Sequence, residues 1–435
     1  MQYTLSKLDI DCLNPMQEEM LRVYRKHQQL VLLSPTGSGK TLAYMLPLVE
    51  LLEESSPHLQ AVVLVPSREL AIQTDSVLKK LSPNIRSMAC YGGRPAMEEH
   101  RRLRALEPQV LVATPGRMLD HIQKGNIHVD NVRLLVIDEF DKSLELGFLQ
   151  QMQDILAHLS AVDRRILLSA TDCPEIPTFV GKEFCKLSYL EEKEQIPDRI
   201  RLFELHSKDK DKLATLFRLL CYIGQQTCLV FVNYRESVER VGDYLKRMGL
   251  SVEIFHGGME QRDRERALYK FYNGSCNVFV STDLASRGLD IPGVDYIIHY
   301  HLPLNEEAYI HRNGRTARWD AEGNACLLLG PQEQWPEYIT DESFCLVLPD
   351  RLPSPAQSRW ATVYIGKGKK DKVNKVDIVG FFTKVGGLER EQLGRIDVLP
   401  SWSYAAIDRH VVKSLLQKVK GQKIKGQKTL FELAE

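Results

Sequence analysis

No stretch of this 435-residue chain approaches the ~18 uninterrupted apolar residues that a membrane span needs. The amino terminus, Met1-Gln2-Tyr3-Thr4-Leu5-Ser6-Lys7, lacks the long apolar core of a secretory signal. Cysteine is sparse, nine scattered residues without a C-x-x-C pair, so neither structural zinc nor a disulfide framework is indicated. Together these absences predict a cytoplasmic protein with no membrane partner. Net charge is absent as well, since Lys+Arg and Asp+Glu each total 57. That zero averages two opposites. Residues 359–435 hold 16 Lys+Arg against 8 Asp+Glu, a net +8, which leaves −8 for residues 1–358. A basic module appended to an acidic body is the usual electrostatic footprint of nucleic-acid binding, although a solvated basic face has the same composition.

What is present is a repeated alternation. At roughly 150 residues per domain the length predicts about three domains. Short continuous apolar runs occur at 30–33, 61–65, 110–112, 134–137 and 166–168, and a second series begins near residue 200 with 228–232, 278–280, 296–298 and 325–329. The segments between them are long enough for helices. Continuous rather than alternating apolar character predicts strands buried on both faces of a parallel α/β sheet. A charged connection at 191–197 predicts an interdomain linker, and the proline-bearing stretch 348–355 marks a second boundary.

Polar residues follow these strands, where open parallel sheets place ligands. Ser34-Pro35-Thr36-Gly37-Ser38-Gly39-Lys40-Thr41, entered from an apolar strand, predicts a phosphate-binding loop, with Ser34 standing where the general P-loop pattern has glycine. Backbone N–H groups close around phosphate oxygens there, Lys40 reaches the β- and γ-phosphates, and Thr41 offers a hydroxyl to Mg²⁺. Asp138 and Glu139 follow the run at 134–137. Asp138 would hold the metal, and Glu139 would orient or deprotonate the attacking water. His311-Arg312-Asn313-Gly314-Arg315-Thr316-Ala317-Arg318 carries three arginines at spacing three, which one helical face could present as arginine fingers. A nucleic-acid backbone contact would use the same side chains.

In this order, and with Pro66-Ser67-Arg68-Glu69-Leu70-Ala71, Gly92-Gly93, Thr114-Pro115-Gly116-Arg117, Ser169-Ala170-Thr171 and the run from Ser281 to Asp290, these segments closely resemble the DEAD-box family of superfamily-two RNA helicases over roughly residues 10–345. The acidic motif reads Asp-Glu-Phe-Asp, with Phe140 in place of alanine before Asp141. The resemblance implies two tandem RecA-like parallel-sheet domains, at 1–192 and 198–347, that close over ATP and single-stranded RNA. It implies a nucleotide site of Gln17, Ser34, Thr36, Gly37, Ser38, Gly39, Lys40, Thr41 and Asp290, with Gln17 reading the adenine edge, Asp290 on the ribose, and Asp138 reaching Mg²⁺ through water. It further implies RNA-backbone contacts from Arg68, Gly93, Thr114, Arg117 and Thr282, coupling through Ser169 and Thr171, and γ-phosphate contacts from Arg315 and Arg318. The activity implied is RNA-dependent hydrolysis of ATP to ADP and phosphate, with local unwinding of RNA duplexes.

The basic segment 359–435 reads as βαββαβ, a small α+β domain that matches an RNA-recognition (RRM-like) fold. Trp402 and Tyr404 share one face if that stretch is extended, and Tyr364 can sit beside them; base stacking and an aromatic core are both compatible with this spacing. The segment resembles the carboxy-terminal RNA-binding domain of DbpA-type helicases, notably at Tyr364-Ile365-Gly366, Gly368-Lys369-Lys370-Asp371-Lys372 and Lys423-Ile424-Lys425-Gly426. That resemblance implies a ribosomal RNA or pre-ribosomal partner and a role in large-subunit assembly, with Lys369, Lys370, Lys372, Lys423 and Lys425 as phosphate anchors. The alternatives are a general, cold-stress or messenger-decay helicase, an ATP-gated RNA clamp or annealing chaperone, and a DNA-directed helicase.

Overall fold

In the computed structural model the described residues are 5–8, 10, 12–35, 37–93, 96–171, 176–190, 200–283, 293–316 and 322–434. The first sheet contains β1 (Gln29–Leu33), β2 (Ala61–Leu64), β3 (Ser87–Cys90), β4 (Val110–Ala113), β5 (Leu134–Ile137), β6 (Arg164–Ser169) and β7 (Cys185–Ser188), in the order β3-β4-β2-β5-β6-β1-β7. Every pairing is parallel. Successive strand residues point to opposite faces, so Leu30, Leu32, Ala61 and Val63 enter one apolar cluster while Val31, Leu33, Val62 and Leu64 enter the other. Helices such as Lys40–Leu51 and Leu149–His158 supply the opposing surfaces. This two-sided burial is why the strands read as unbroken apolar runs.

The second sheet repeats the plan with β8 (Ile200–His206), β9 (Cys228–Phe231), β10 (Val252–Phe255), β11 (Val278–Ser281), β12 (Tyr296–His299), β13 (Gly323–Leu329) and β14 (Ser343–Cys345), in the order β10-β11-β9-β12-β13-β8-β14. All of its pairings are also parallel. The tail forms an antiparallel sheet of β15 (Trp360–Ile365), β16 (Leu393–Val398), β17 (Ser403–Asp408) and, after a short hairpin of β18 (Lys423–Ile424) and β19 (Gln427–Lys428), β20 (Phe431–Leu433). Its order is β16-β17-β15-β20, with helices Lys375–Lys384 and Val412–Val419 on one face. The expected βαββαβ succession is therefore present, with one hairpin inserted before the final strand. Lys425 (φ 50°) and Gly426 (φ 75°) make the left-handed two-residue turn of that hairpin.

The three main sheets fall into two compact units, the first holding the earlier parallel sheet and the second joining the later parallel sheet to the tail. Alternation within the tail sheet explains the union. Ala361, Val363, Ile365, Ala405 and Ile407 face the tail helices, whereas Thr362 and Tyr404 on the opposite face meet the parallel-sheet domain. Thr362 Oγ1 accepts from Asn273 Nδ2 at 2.9 Å and donates to Ser275 Oγ at 2.8 Å. Tyr404 packs on Tyr269 of helix Gln261–Tyr272, ring centres 5.4 Å apart. Arg409 Nη2 reaches the Ser275 carbonyl at 3.4 Å. The tail thus uses its open sheet face to dock on the preceding domain. The expected linker at 191–197 lies outside the described residues.

Candidate nucleotide site and nucleic-acid interface

In the first unit the predicted residues sort by strand. Ser34, Asp138 and Ser169 lie at or just after the carboxyl ends of the adjacent strands β1, β5 and β6, while Arg68, Gly93 and Thr114 follow β2, β3 and β4 on the other half of the same edge. One sheet edge therefore carries two polar clusters side by side.

The first cluster is built around the loop 34–39. Gly37 (φ 85°) and Gly39 (φ 92°) take left-handed conformations, and Gly39 caps helix Lys40–Leu51, turning the helix N-terminus toward the loop. A Cβ on Gly39 would lie 2.6 Å from Gln17 Nε2. Gln17 itself is buried; its Oε1 accepts from Asn14 N at 3.0 Å and its Nε2 donates to the Gly39 carbonyl at 3.3 Å. Asn14 Nδ2 donates to the Ser38 carbonyl at 3.0 Å. The Asn14-Pro15-Met16-Gln17 segment thereby braces the phosphate-loop backbone. Ser34 Oγ donates to Ser38 Oγ at 2.7 Å, a cross-brace made by the residue that departs from the general pattern. Lys40 Nζ spans the loop to the carbonyls of Ser34 and Pro35. Thr41 follows it in the helix, and Thr36 lies outside the described residues.

Asp138 is 3% exposed, and burial pushes its carboxyl up to about 6 against the opposing pull of the Lys40 ammonium. A buried carboxylate in this state gains from a further cation. The hydroxyl of Thr41 and the carboxylate of Asp138 are hard oxygen donors, so the donor chemistry fits Mg²⁺. Glu139 sits at φ 48°, ψ 53°, a left-handed conformation that a non-glycine residue holds at a cost of order 1–3 kcal/mol. Phe140 turns away from this polar edge: it is 1% exposed and joins the apolar cluster of Leu33, Ile137 and Leu167. The bulk that replaces alanine is accommodated in the core. Asp141 accepts from Thr171 Oγ1 at 2.9 Å, and the Ser169 carbonyl accepts from Ser34 N at 3.1 Å. Ser169 and Thr171 are joined through Ser169 Oγ, which donates to the Thr171 carbonyl at 2.6 Å. The three motifs form one hydrogen-bonded chain.

The second cluster centres on residues 90–93. Gly93 takes a left-handed conformation (φ 89°) that favours glycine, and a Cβ there would lie 2.3 Å from Arg68 Nη1 and displace the guanidinium. Thr114 N donates to the Cys90 carbonyl at 3.1 Å. Arg117 Nε donates to the Tyr91 carbonyl at 3.3 Å and pairs with Glu99 at 3.2 Å. Glu99, 5% exposed, also meets His121 at 2.9 Å. This Glu99–Arg117–His121 group escapes a sequence reading because Glu99 lies in a charged stretch, Glu98-Glu99-His100-Arg101-Arg102, that resembles a solvated helix face. Cys90 adjoins it, and burial raises its thiol above the ordinary range, keeping it neutral beside the ion pair.

In the second unit the triple-arginine segment differs from the expectation of one shared helical face. The helix Glu306–Asn313 ends at its cap Gly314, which places Arg312 in the helix and Arg315 in the turn beyond it. Arg312 is fully buried; Nε and Nη2 grip Asp283 at 2.5 and 3.1 Å, Nη1 donates to the His301 carbonyl at 2.9 Å, and Nη2 donates to Asn233 Oδ1 at 2.8 Å. It ties together the chain following β9, β11 and β12. Asn313 accepts from His299 Nε2 at 3.0 Å, and burial depresses the His299 imidazole to about 3, keeping it neutral. Arg315 is buried, and its carbonyl accepts from Val294 N at 3.0 Å. Thr282 follows β11, half-buried. Asp290 and Arg318 fall outside the described residues.

The tail gathers its five predicted lysines at one edge. Lys369, Lys370 and Lys372 lie around the turn Lys369–Asp371, and Lys423 and Lys425 are exposed on the β18–β19 hairpin. Lys425 Nζ donates to the Lys372 carbonyl at 2.8 Å and pairs with Asp377 at 2.8 Å, which fastens hairpin to turn.

Comparison with known proteins identifies the family and the domain order. Residues 14–176 match the DEAD/DEAH box helicase family, residues 211–320 the helicase conserved C-terminal domain, and residues 362–433 the DbpA RNA binding domain. The chain is similar to the ATP-dependent RNA helicase DbpA of Escherichia coli (strain K12), 34% identical with 97% of this chain and 94% of the relative covered. It is similar to the ATP-dependent RNA helicase CshA of Listeria monocytogenes, 34% identical over 78% of this chain and 66% of the relative. Among solved structures it resembles S. cerevisiae Dbp5 bound to RNA and ADP BeF3, with TM-score 0.67, 25% identity, and coverage of 75% of this chain and 86% of that one. Among the described residues no helix is long and apolar enough to cross a membrane.

Proposed function

We propose that this chain, which belongs to the DEAD-box family of ATP-dependent RNA helicases and carries a DbpA-type RNA-binding domain, acts on structured ribosomal RNA during assembly of the large subunit. It is an RNA-dependent ATPase with tandem RecA-like domains. In our reading the nucleotide is held by the loop 34–41, with Gln17 at the adenine and Asp290 at the ribose. Thr41 and Asp138 hold Mg²⁺, which neutralises phosphate charge when bound. Glu139 orients and deprotonates the attacking water, and Arg315 and Arg318 stabilise charge on the transferring phosphoryl group. Arg68, Gly93, Thr114, Arg117 and Thr282 meet the RNA backbone, and such contacts carry little base selectivity. The Ser169–Thr171–Asp141 hydrogen bonds supply a route by which either site senses the other.

The observation that carries the ribosomal assignment is the likeness of the tail to the DbpA RNA binding domain, and the lysine edge supplies its phosphate contacts. The lysines of the hairpin and turn, with Lys425 also bracing the two through Asp377 and the Lys372 carbonyl, suit the closely spaced phosphates of a folded RNA, while the sheet face beside them is already docked. The test is steady-state ATPase activity of the full chain without RNA, with unrelated single-stranded RNA, and with a large-subunit ribosomal RNA fragment containing structured hairpins. The fragment should stimulate at the lowest concentration, and combined alanine substitution of the five lysines should remove that preference. Each phosphate that is no longer neutralised should flatten the salt dependence of RNA affinity by about 0.7–0.9 in log–log slope. Equal stimulation by every RNA would leave a general helicase, the reading favoured by the CshA likeness over the core.

A further inference from the structure

The docked face of the tail sheet leaves a gap against helix Gln261–Tyr272. A cleft of about 350 Å³ lies there, lined by Arg262, Arg266, Tyr364, Tyr404, Glu432 and Leu433. We propose that this cleft is a subsite for one unpaired nucleotide of an RNA strand, its phosphate held by Arg262 and Arg266 and its base laid against Tyr364. The proposal rests on the helicase reading and adds to it a second RNA-contacting surface, composed jointly by the second parallel-sheet domain and the tail.

Each wall contributes a different chemistry. Arg262 and Arg266 are four residues apart on one helix and project from neighbouring turns, a spacing at which two guanidinium forks can share one phosphate. Among the described residues no carboxylate pairs with Arg262; its guanidinium stands 5.8 Å from the Tyr364 ring centre and 5.9 Å from that of Trp402. Arg266 pairs with Asp263 at 3.1 Å, but its Nε is buried without an acceptor. Trp402 Nε1, beside the same cleft, is likewise buried without an acceptor. A pure docking interface gains by pairing such donors, and leaving them unpaired costs stability unless a ligand oxygen completes them.

The two tyrosines are not equivalent. Tyr404 is 2% exposed and already spent on Tyr269, so it is wall. Tyr364 is only half-buried and keeps ring surface toward the cleft. Glu432 is exposed and offers an acceptor to a base N–H. The volume is at the lower end of small-ligand sites, sufficient for one nucleotide and too small for a duplex. Position supports an RNA strand: β15 carries Tyr364 and runs directly into the lysine turn at 369–372, so RNA gripped at the lysine edge has an unpaired flank beside the cleft.

The test uses the full chain and a ten-nucleotide oligouridine carrying one photoreactive 4-thiouridine. Cross-links should map to the peptide containing Tyr364. Y364L should weaken the complex about tenfold while Y364F retains it, since stacking needs the ring and not the hydroxyl. R262Q/R266Q, which keeps polar side chains without charge, should flatten the log–log salt slope by about 0.7 for each phosphate that the arginines had neutralised. Tryptophan emission, to which Trp360 and Trp402 at this interface contribute, establishes that each variant remains docked. Cross-links confined to other peptides, with affinity and salt slope unchanged in both variants, would overturn the subsite and leave the cleft a docking seam. If long RNA still stimulated ATP hydrolysis in that case, the helicase reading would stand alone; absence of any RNA-stimulated hydrolysis in the parent chain would overturn both.

Discussion

Replacing Arg312 by alanine distinguishes a structural arginine from a catalytic one. The side chain is fully buried, donates twice to Asp283 and once each to His301 and Asn233, and stands 5.1 Å from the Phe231 ring centre. Removing one partner of a buried charge pair typically costs about 3–5 kcal/mol, because the remaining charge is stranded. Asp283 is 34% exposed, so water recovers part of the loss, and we expect about 3 kcal/mol. The readout is built into the sequence: the four tryptophans, Trp319, Trp335, Trp360 and Trp402, all belong to the second unit. Fluorescence-detected unfolding of the full chain therefore follows that unit alone. With a guanidinium m-value of roughly 4 kcal/mol per molar, the midpoint should fall by about 0.7 M. R312K should lose less, since it keeps the charge without the planar fork, and D283A combined with R312A should cost less than the two separate losses. An R312A protein that unfolds at the parental midpoint yet hydrolyses no ATP would refute this reasoning and return Arg312 to the reacting phosphate.

Glu139→Gln should leave nucleotide binding near parental while lowering RNA-stimulated single-turnover hydrolysis by about 100-fold or more, and unchanged turnover would exclude Glu139 as the base. Gly93→Ala should displace the Arg68 guanidinium and strain a left-handed turn, costing about 1 kcal/mol of stability and raising several-fold the RNA concentration needed for half-maximal ATPase stimulation. Parental RNA dependence in that variant would remove Gly93 and Arg68 from the interface. Asn313→Leu should strand the buried His299 N–H and cost about 1–3 kcal/mol in the tryptophan-detected transition. The double variant H299F/N313L should recover part of this, and failure of N313L to destabilise would show that the imidazole finds another acceptor.

The core strands were legible because their position in the sheet leaves them no choice of composition. β2, β5, β6 and β1, or β11, β9, β12 and β13, are flanked on both sides and covered on both faces, so only continuous apolar runs fit. Of the five parallel-sheet strands that give no such signal, β3, β7, β10 and β14 are the four sheet edges, and the fifth, β8, lies between β13 and β14 but is only partly buried. Ser87-Met88-Ala89-Cys90 and Cys185-Lys186-Leu187-Ser188 have one ladder neighbour each and need less apolar surface. The phosphate loop and the Asp138–Glu139 pair were equally legible, since their chemistry fixes residue type at fixed spacing. Arg312 was not. An arginine that clamps three strand ends and one that touches a phosphate have the same letter in the same motif, and only its burial against Asp283 and the helix stop at Gly314 separate them.

The tail shows the same ambiguity at the scale of a surface. Trp402 and Tyr404 at period-two spacing, with Tyr364 on the neighbouring strand, announce an aromatic sheet face, yet an aromatic face binds bases and protein through one physics, apolar area with a polar tip. Sequence periodicity determines which residues share the face and leaves its occupant open. The occupant is fixed by a distant segment: helix Gln261–Tyr272 presents Tyr269 to Tyr404, and the turn at 273–275 supplies the hydrogen bonds that satisfy buried Thr362. Thr362 is the informative residue. A hydroxyl at the centre of a nucleic-acid platform would remain solvated until RNA arrived, whereas here it is 2% exposed with both donor and acceptor roles filled by the chain itself. Docking therefore withdraws the centre of the face from RNA, and leaves its margin at Tyr364 and the lysine edge as the surfaces on which affinity for RNA has to be built.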